Sequence, residues 1–165
     1  MSDTSFLQRS VLTLLHWLET FRYIKFGIVG ASGTVVNLVV LHFGHEYLFS
    51  AIEPANSKPY ASLALAITIA TINNFTWNRL WTWSDRVTAE ARILHIDPLH
   101  PGPGKLSREF ITYAAASGFG SALQYGLTLL LSGSMDYRLA NVTAIVIASV
   151  SNFLANDKWT FKRRS

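Results

Sequence analysis

Asp, Glu, Lys and Arg are absent from four stretches, 26–45, 59–78, 110–135 and 139–156, which together make up half of the chain. A helix needs about 20 residues to cross a hydrocarbon core ~30 Å thick. Each stretch has about that length, and none carries the charged face that a soluble helix keeps. The pattern predicts four membrane-spanning helices: Tyr23–His45, Pro59–Asn78, Phe110–Leu131 and Arg138–Asn156. Ahead of them, Phe6, Leu7, Val11, Leu14, Leu15, Leu18 and Phe21 recur at helical spacing among Gln8, Arg9, His16 and Glu19. That predicts an amphipathic helix over 1–22 lying at the membrane interface. A cleaved leader fits less well, because Glu19 follows the apolar run and no A-x-A site appears. Glu46, Glu53, Pro54, Asn56, Lys58 and Pro59 form a polar loop between the first two spans. The one long polar segment is 84–107, with a short helix expected over Val87–Ile96 and a breaker-rich linker over Pro98–Gly104.

The second and fourth stretches end alike. Residues 66–86 read AITIATINNFTWNRLWTWSDR and residues 144–164 read AIVIASVSNFLANDKWTFKRR. Asn74/Asn152, Phe75/Phe153, Asn78/Asn156, Trp81/Trp159, Thr82/Thr160 and Arg86/Arg164 are identical at one constant offset. The first and third spans match more weakly, Arg22-Tyr-Ile-Lys-Phe-Gly27 against Glu109-Phe-Ile-Thr-Tyr-Ala114. Shared Ala and Ile mean little in apolar helices, whereas N-F-x-x-N-x-x-W-T is polar and aromatic. The expected architecture is an all-α integral membrane domain over 1–165. It holds two parallel two-helix repeats (23–83 and 108–165), an interfacial helix (1–22) and a loop between the repeats (84–107). The repeats would be related by a pseudo-twofold axis along the membrane normal.

Composition narrows the chemistry. The 165 residues include no Cys, which excludes a disulfide scaffold, a thiolate zinc site and a cysteine nucleophile. Only 15% of residues are charged, against about 25% in soluble domains. The net charge of +4 is unevenly placed: 12 of the 14 Lys and Arg fall in the amino terminus, the 84–107 segment with its flanks, and the carboxyl terminus. The positive-inside rule then puts both termini and that segment in the cytoplasm. The excess charge is thus a topology signal, and no nucleic-acid partner is implied.

Two groups of residues carry candidate chemistry. Gly27, Gly30 and Gly33 in the first span, and Gly118 and Gly120 in the third, are small residues that let backbones approach closely in lipid. They predict packing of span one on span three, or else a glycine-lined groove that admits a lipid chain or a phosphate. Asn74 with Asn78, and Asn152 with Asn156, are four apart and share helix faces. Their amides can donate to phosphate or sugar oxygens without the cost of burying a charge. Interhelical bonding or capping is the simpler role for them. Arg22, Lys25, Arg79 and Lys158 sit at the membrane boundary, where they either snorkel to lipid phosphates or hold a specific lipid head group. Arg79 and Asp157 occupy matching repeat positions with opposite charge, which allows a cross-repeat pair between them. His42-x-x-His45-Glu46 lacks a third metal ligand at sensible spacing. No catalytic triad, carboxylate pair, nucleotide loop or cofactor motif appears, so the chain reads as neither a metalloprotein nor an enzyme.

Three segments together resemble the GtrA-like family, which includes the transmembrane domain fused to some dolichol-phosphate mannose synthases. They are Phe21-Arg-Tyr-Ile-Lys-Phe-Gly-Ile-Val-Gly30, with the following Gly33 and Asn37; Asn74-Phe-Thr-Trp-Asn-Arg-Leu-Trp-Thr-Trp83; and Asn152-Phe-Leu-Ala-Asn-Asp-Lys-Trp-Thr-Phe161. The resemblance covers about residues 21–162. It implies a four-span inner-membrane protein of cell-surface polysaccharide synthesis, working beside a membrane glycosyltransferase that loads a sugar onto a polyprenyl phosphate. Its role would be to flip the polyprenyl-phosphate sugar, or to anchor and assist the transferase. By that resemblance Lys25, Asn74, Asn78, Arg79, Asn152, Asn156 and Lys158 would meet the substrate. Four spans make a small pathway, so a homo-oligomer is expected. The long Pro/Gly-rich 84–107 segment departs from the family's usual short connection. A small multidrug-type exporter fits less well, because no acidic residue lies within a span to couple to protons.

Overall fold

A computed structural model describes residues 3–51 and 57–163, and side chains outside 3–20, 58–59 and 137–138. Among the expected features, residues 1–2, Glu53, Pro54, Asn56 and Arg164 lie outside the described residues, as do the side chains of the amino-terminal amphipathic segment. Every described element is helical. Helix α1 runs from Asp3 to Phe43, α2 from Lys58 to Trp77, α3 from Ser84 to Leu94, α4 from Pro103 to Ser132 and α5 from Tyr137 to Ala155. Wider π-helical turns continue three of them, at Gly44–Leu48, Asn78–Thr82 and Asn156–Thr160.

The boundaries follow from local chemistry. Pro59 and Pro103 sit in the first turns of α2 and α4, where a missing N–H costs nothing. Gly102, just before α4, takes φ 89°, a backbone conformation that glycine adopts freely. Helix α3 stops where His95 turns left-handed at φ 53° and Ile96 N–H reaches back to Ala91 O at 3.0 Å. In the linker that follows, Asp97 accepts from Leu99 N–H at 2.8 Å and lies 2.7 Å from His100 Nδ1. The bond to His100, then that from Leu99, holds the Asp97 carboxyl below its ordinary value.

The interfacial helix expected over 1–22 and the span expected from Tyr23 lie on one helix. Helix α1 is continuous from Asp3, because residues 3–26 contain neither Gly nor Pro to interrupt it. At 1.5 Å per residue it is about 60 Å long, roughly twice a hydrocarbon core.

Helices α1 and α2 pack along one another as a hairpin, and so do α4 and α5. The two hairpins meet through α2 against α4 and α1 against α5. Among the described residues, helices α1 and α4 make no close backbone contact, so the packing of span one on span three predicted from the glycines is not what forms. The glycines of α1 and α4 instead lie against their own hairpin partner or against open space.

Outward faces are apolar. Ile28, Leu38, Ile67, Leu130 and Val142 are all exposed. The segments Phe21–Leu48 and Leu139–Thr160 are long and apolar enough to cross a membrane, with mean hydropathies of 1.8 and 1.5. Hydroxyls within the helices bond to their own backbone: Thr68 to Ala64 O, Thr71 to Ile67 O and Thr76 to Ile72 O, each at 2.8 Å. In lipid no water is at hand to satisfy such groups, so these internal bonds suit the setting.

The buried core lies at one end of the bundle, the α3 end. Phe26, Phe75, Trp83, Val87, Tyr113, Phe153 and Phe161 form one cluster there, drawn from α1–α5 and the last π turn's flank. Trp83 is fully buried and stacks on Phe161, with ring centroids 4.7 Å apart.

Candidate functional site: a polar cleft between two hairpins

Two turns flanking the core are built alike. After α2 the backbone widens so that Trp83 N–H donates to Asn78 O; after α5, Phe161 N–H donates to Asn156 O; both bonds are 2.9 Å. Thr82 Oγ1 donates to Asn78 Oδ1 at 2.8 Å, and Thr160 Oγ1 to Asn156 Oδ1 at 2.9 Å. The stacked Trp83 and Phe161 leave these turns at matching positions. The asparagine nitrogens diverge. Asn78 Nδ2 donates across the hairpins to Tyr113 Oη at 2.9 Å, whereas Asn156 Nδ2 donates to Asn152 Oδ1 at 2.8 Å within its own helix. Single π turns of this kind concentrate at functional sites.

The glycines follow the same scheme. Gly33 lies against the Asn74 amide so closely that any Cβ there would strike it. Gly120 lies under Asn152, whose Cβ would be 3.2 Å from an added Cβ. In each hairpin, a glycine on the first helix makes room for the asparagine four residues ahead of the π-turn asparagine, Asn74 or Asn152. Gly27, Gly30 and Gly118 meet nothing, and a Cβ there would project into open space.

Charged residues ring the α3 end. Arg79 Nε bonds Glu109 Oε2 at 2.9 Å, and both side chains are nearly buried. Arg22 bonds Asp85 at 2.9 Å and approaches Asp157 at 3.6 Å. Asp157 also takes Arg86 at 2.8 Å and Trp83 Nε1–H at 3.0 Å. Among the described residues, the Arg79–Asp157 pair that the sequence allows does not form. Each reaches the first helix of the opposite hairpin instead, because the helix ends cross there. By position in the matching sequence segments, Arg22 corresponds to Glu109 and Arg79 to Asp157. The Arg79–Glu109 and Arg22–Asp157 contacts are therefore the same contact with the charges exchanged.

Between the hairpins lies a cleft of about 440 Å³. Helix α1 supplies Phe26, Gly27 and Gly30 to one wall, and α4 supplies Tyr113, Ser117, Gly120, Ser121 and Gln124 to the wall facing it. Asn74 comes from α2 and Asn78 from the π turn after it; Ser149 and Asn152 come from α5. Its lining carries amides and hydroxyls and no charge. Tyr113 to Gln124 spans about 16 Å of helix, half a hydrocarbon core. Phe26, Asn78 and Tyr113 belong both to the cleft lining and to the sealed layer at the α3 end.

Of the residues expected at a site, the cleft gathers Asn74, Asn78 and Asn152 with Gly27, Gly30 and Gly120. Asn156 is buried behind Asn152. Arg22 and Arg79 are engaged by carboxylates. Lys25 lies over the rings of Phe21, at 4.8 Å, and Trp81, at 5.6 Å. Lys158 is exposed and outside the cleft, as is Gly118. Tyr113 is a lining residue that no motif announces, although the similar segments 22–27 and 109–114 hold a signal for it: Phe26 stands at the corresponding position, so one hydroxyl distinguishes the two. Beside Trp81, the groove walled by Ile28, Val29, Trp77 and Leu80 is apolar.

Comparison with known proteins adds two findings. The family model described as GtrA/DPMS, transmembrane domain, matches residues 25–96 and 105–165. The chain is also similar to a dolichol-phosphate mannosyltransferase of Pyrococcus furiosus, at 26% identity over 156 residues. That alignment covers 93% of this chain and 38% of the relative, so the chain spans well under half of the relative's length.

Proposed function

The chain belongs to the GtrA/DPMS transmembrane-domain family, and on that premise we propose that it moves a polyprenyl-phosphate-linked sugar across a membrane through the cleft between its hairpins. The observation that carries this reading is the lining. An anionic sugar head needs hydrogen-bond donors along its path. Amides and hydroxyls supply them without the cost of charges held in lipid, and the cleft offers Asn74, Asn152, Ser117 and Gln124. Gly27 and Gly30 leave room for it. The prenyl tail would stay outside, along the apolar groove by Trp77 and Trp81, with its phosphate near Lys25.

In this reading α1, α2, α4 and α5 each cross the bilayer. Twelve of the 14 Lys and Arg then lie on the α3 side, which the positive-inside rule makes cytoplasmic, along with both termini. The matched π turns, the matched glycine–asparagine contacts and the charge-exchanged ion pairs support descent from a duplicated hairpin. Layered aromatics close the cleft at the cytoplasmic end, and the Asn78–Tyr113 bond latches that layer. Passage requires the layer to part. The inner membrane as location and a homo-oligomer as working form belong to the same proposal.

A second reading rests on the P. furiosus relative, a mannosyltransferase far longer than this chain. Here the chain would hold a membrane glycosyltransferase and move no lipid. Purified protein in liposomes carrying a fluorescent polyprenyl-phosphate hexose separates the two. Translocation predicts protein-dependent loss of the label from the outer leaflet, slowed at least tenfold by Lys25→Met with Asn74→Leu. The only hydrogen-bond partner of the Asn74 side chain among the described residues is its neighbour Asn73, at 3.3 Å, and Leu branches at Cγ as Asn does, so circular dichroism of the variant checks that the packing against Gly33 is kept. Transfer equal to that of empty liposomes, restored by no lipid tried, rejects translocation and leaves the scaffold.

A further inference from the structure

A second cavity, of about 520 Å³, opens on the α3 side of the second hairpin and lies outside the cleft. Lys105, Arg108 and Thr112 of α4 form one wall; Trp159, Thr160 and Lys162 form the other. Glu90 and Glu109 also line it, and both are already engaged. Lys105 bonds Glu90 at 3.0 Å and approaches Glu109 at 3.7 Å, while Glu109 also holds Arg79. Arg108 and Lys162 have no carboxylate or hydrogen-bond partner for their side chains among the described residues. Two cations thus face the cavity uncompensated.

Backbone geometry adds to the positive field. Helix α4 starts at this cavity, and no side chain caps it among the described residues. Its first bond is Leu106 N–H to Gly102 O at 3.2 Å, which leaves the N–H groups of Gly104 and Lys105 ahead of it. The helix dipole adds partial positive charge there. Trp159 supplies a different surface. It is 68% exposed, whereas Trp81, its match in the repeat, is 38% exposed within an apolar groove. The same residue type thus borders hydrocarbon in one hairpin and a charged aqueous cavity in the other.

We propose that this cavity binds a glycosyl phosphate. Arg108, Lys162 and the start of α4 take the phosphate through charge-assisted hydrogen bonds. The sugar ring lays its polarised C–H face on the negative π face of Trp159. Its hydroxyls meet Thr112, Thr160 and Glu90. The proposal rests on the reading that the chain handles a phosphorylated, lipid-linked sugar, and it places head-group capture at a site separate from the path.

Calorimetric titration of the full chain in lipid nanodiscs tests it, with glucose, mannose and galactose 1-phosphates and inorganic phosphate as probes. At least one sugar phosphate should bind saturably and more tightly than inorganic phosphate. Arg108→Gln with Lys162→Gln should weaken both kinds of probe at least tenfold. Trp159→Leu should weaken only the sugar phosphate, and Arg92→Gln, outside the cavity, should change neither. Competition by a polyprenyl-phosphate hexose in the disc identifies the lipid head as the source; competition by UDP-glucose alone identifies a soluble donor. Absence of saturable binding for every probe, or binding untouched by the double variant, overturns the proposal. Binding retained by a protein that moves no lipid would reject translocation and leave the cavity assignment standing.

Discussion

A Trp83→Ala variant is expected to lose about 3–5 kcal/mol of stability, the usual cost of deleting a large buried aromatic. Trp83 has no exposed surface and stacks on Phe161 and Phe153, with an edge contact to Phe26. Its indole N–H also ties the core to Asp157 at 3.0 Å. The residue therefore joins both hairpins at the point where they cross. Unfolding in detergent, followed by near-ultraviolet circular dichroism, reads the loss. Trp83→Phe keeps a ring in the stack and drops one hydrogen bond to Asp157, which retains Arg86, and should lose about 1–3 kcal/mol, the range for a hydrogen bond to a charged group. Equal losses in the two variants would mean that the stack contributes nothing.

Glu109→Leu is expected to cost about 3–5 kcal/mol, because it leaves Arg79 as a nearly buried cation without its counter-charge. Arg79 is 4% exposed, and its Nη2 already lacks a hydrogen-bond partner among the described residues. Lys105 loses one of its two carboxylates in the same step. The double variant Arg79→Met with Glu109→Leu removes both charges and should recover most of that loss. Guanidinium-free unfolding midpoints of the two variants, measured side by side, decide it. A double variant as unstable as Glu109→Leu would show that the pair's charges are not what the helix crossing depends on.

Much of this fold is legible in the order of the residues. Each charge-free window begins within α1, α2, α4 or α5 and ends one to three residues past it, and Ser84–Leu94 is helical close to the expected Val87–Ile96. The recurring N-F-x-x-N-x-x-W-T pattern corresponds to two π turns with the same hydrogen bonds. The identity of the partners is not legible in the same way. A run of glycines says that something can come close, not what does. Gly33 and Gly120 admit asparagine side chains from their own hairpins, and Gly27 and Gly30 admit nothing. Likewise, matching positions with opposite charge at Arg79 and Asp157 invite a pair. Only the crossing of the helices shows that each reaches Glu109 or Arg22 instead. For α1, two local signals conflict: amphipathicity changes near Tyr23, yet 3–26 contains no Gly or Pro, and the uninterrupted backbone wins. The Trp159 cavity has no sequence signal, because its cations come from residues distant in the chain, Arg108 and Lys162, that share no motif.

The central claim is that the lipid head passes between the hairpins, and a reversible bridge across the cleft tests it most directly. The chain has no cysteine, so Gly30→Cys with Ser121→Cys places thiols on the two facing walls and nowhere else. Gly30 has open space for the new side chain. Joined by a thiol-reactive linker that carries its own reducible disulfide, the purified double variant in liposomes should stop moving polyprenyl-phosphate hexose. Reductant should restore the transfer, and each single variant treated with the same linker should keep it. Undiminished transfer with the two walls bridged would contradict the account.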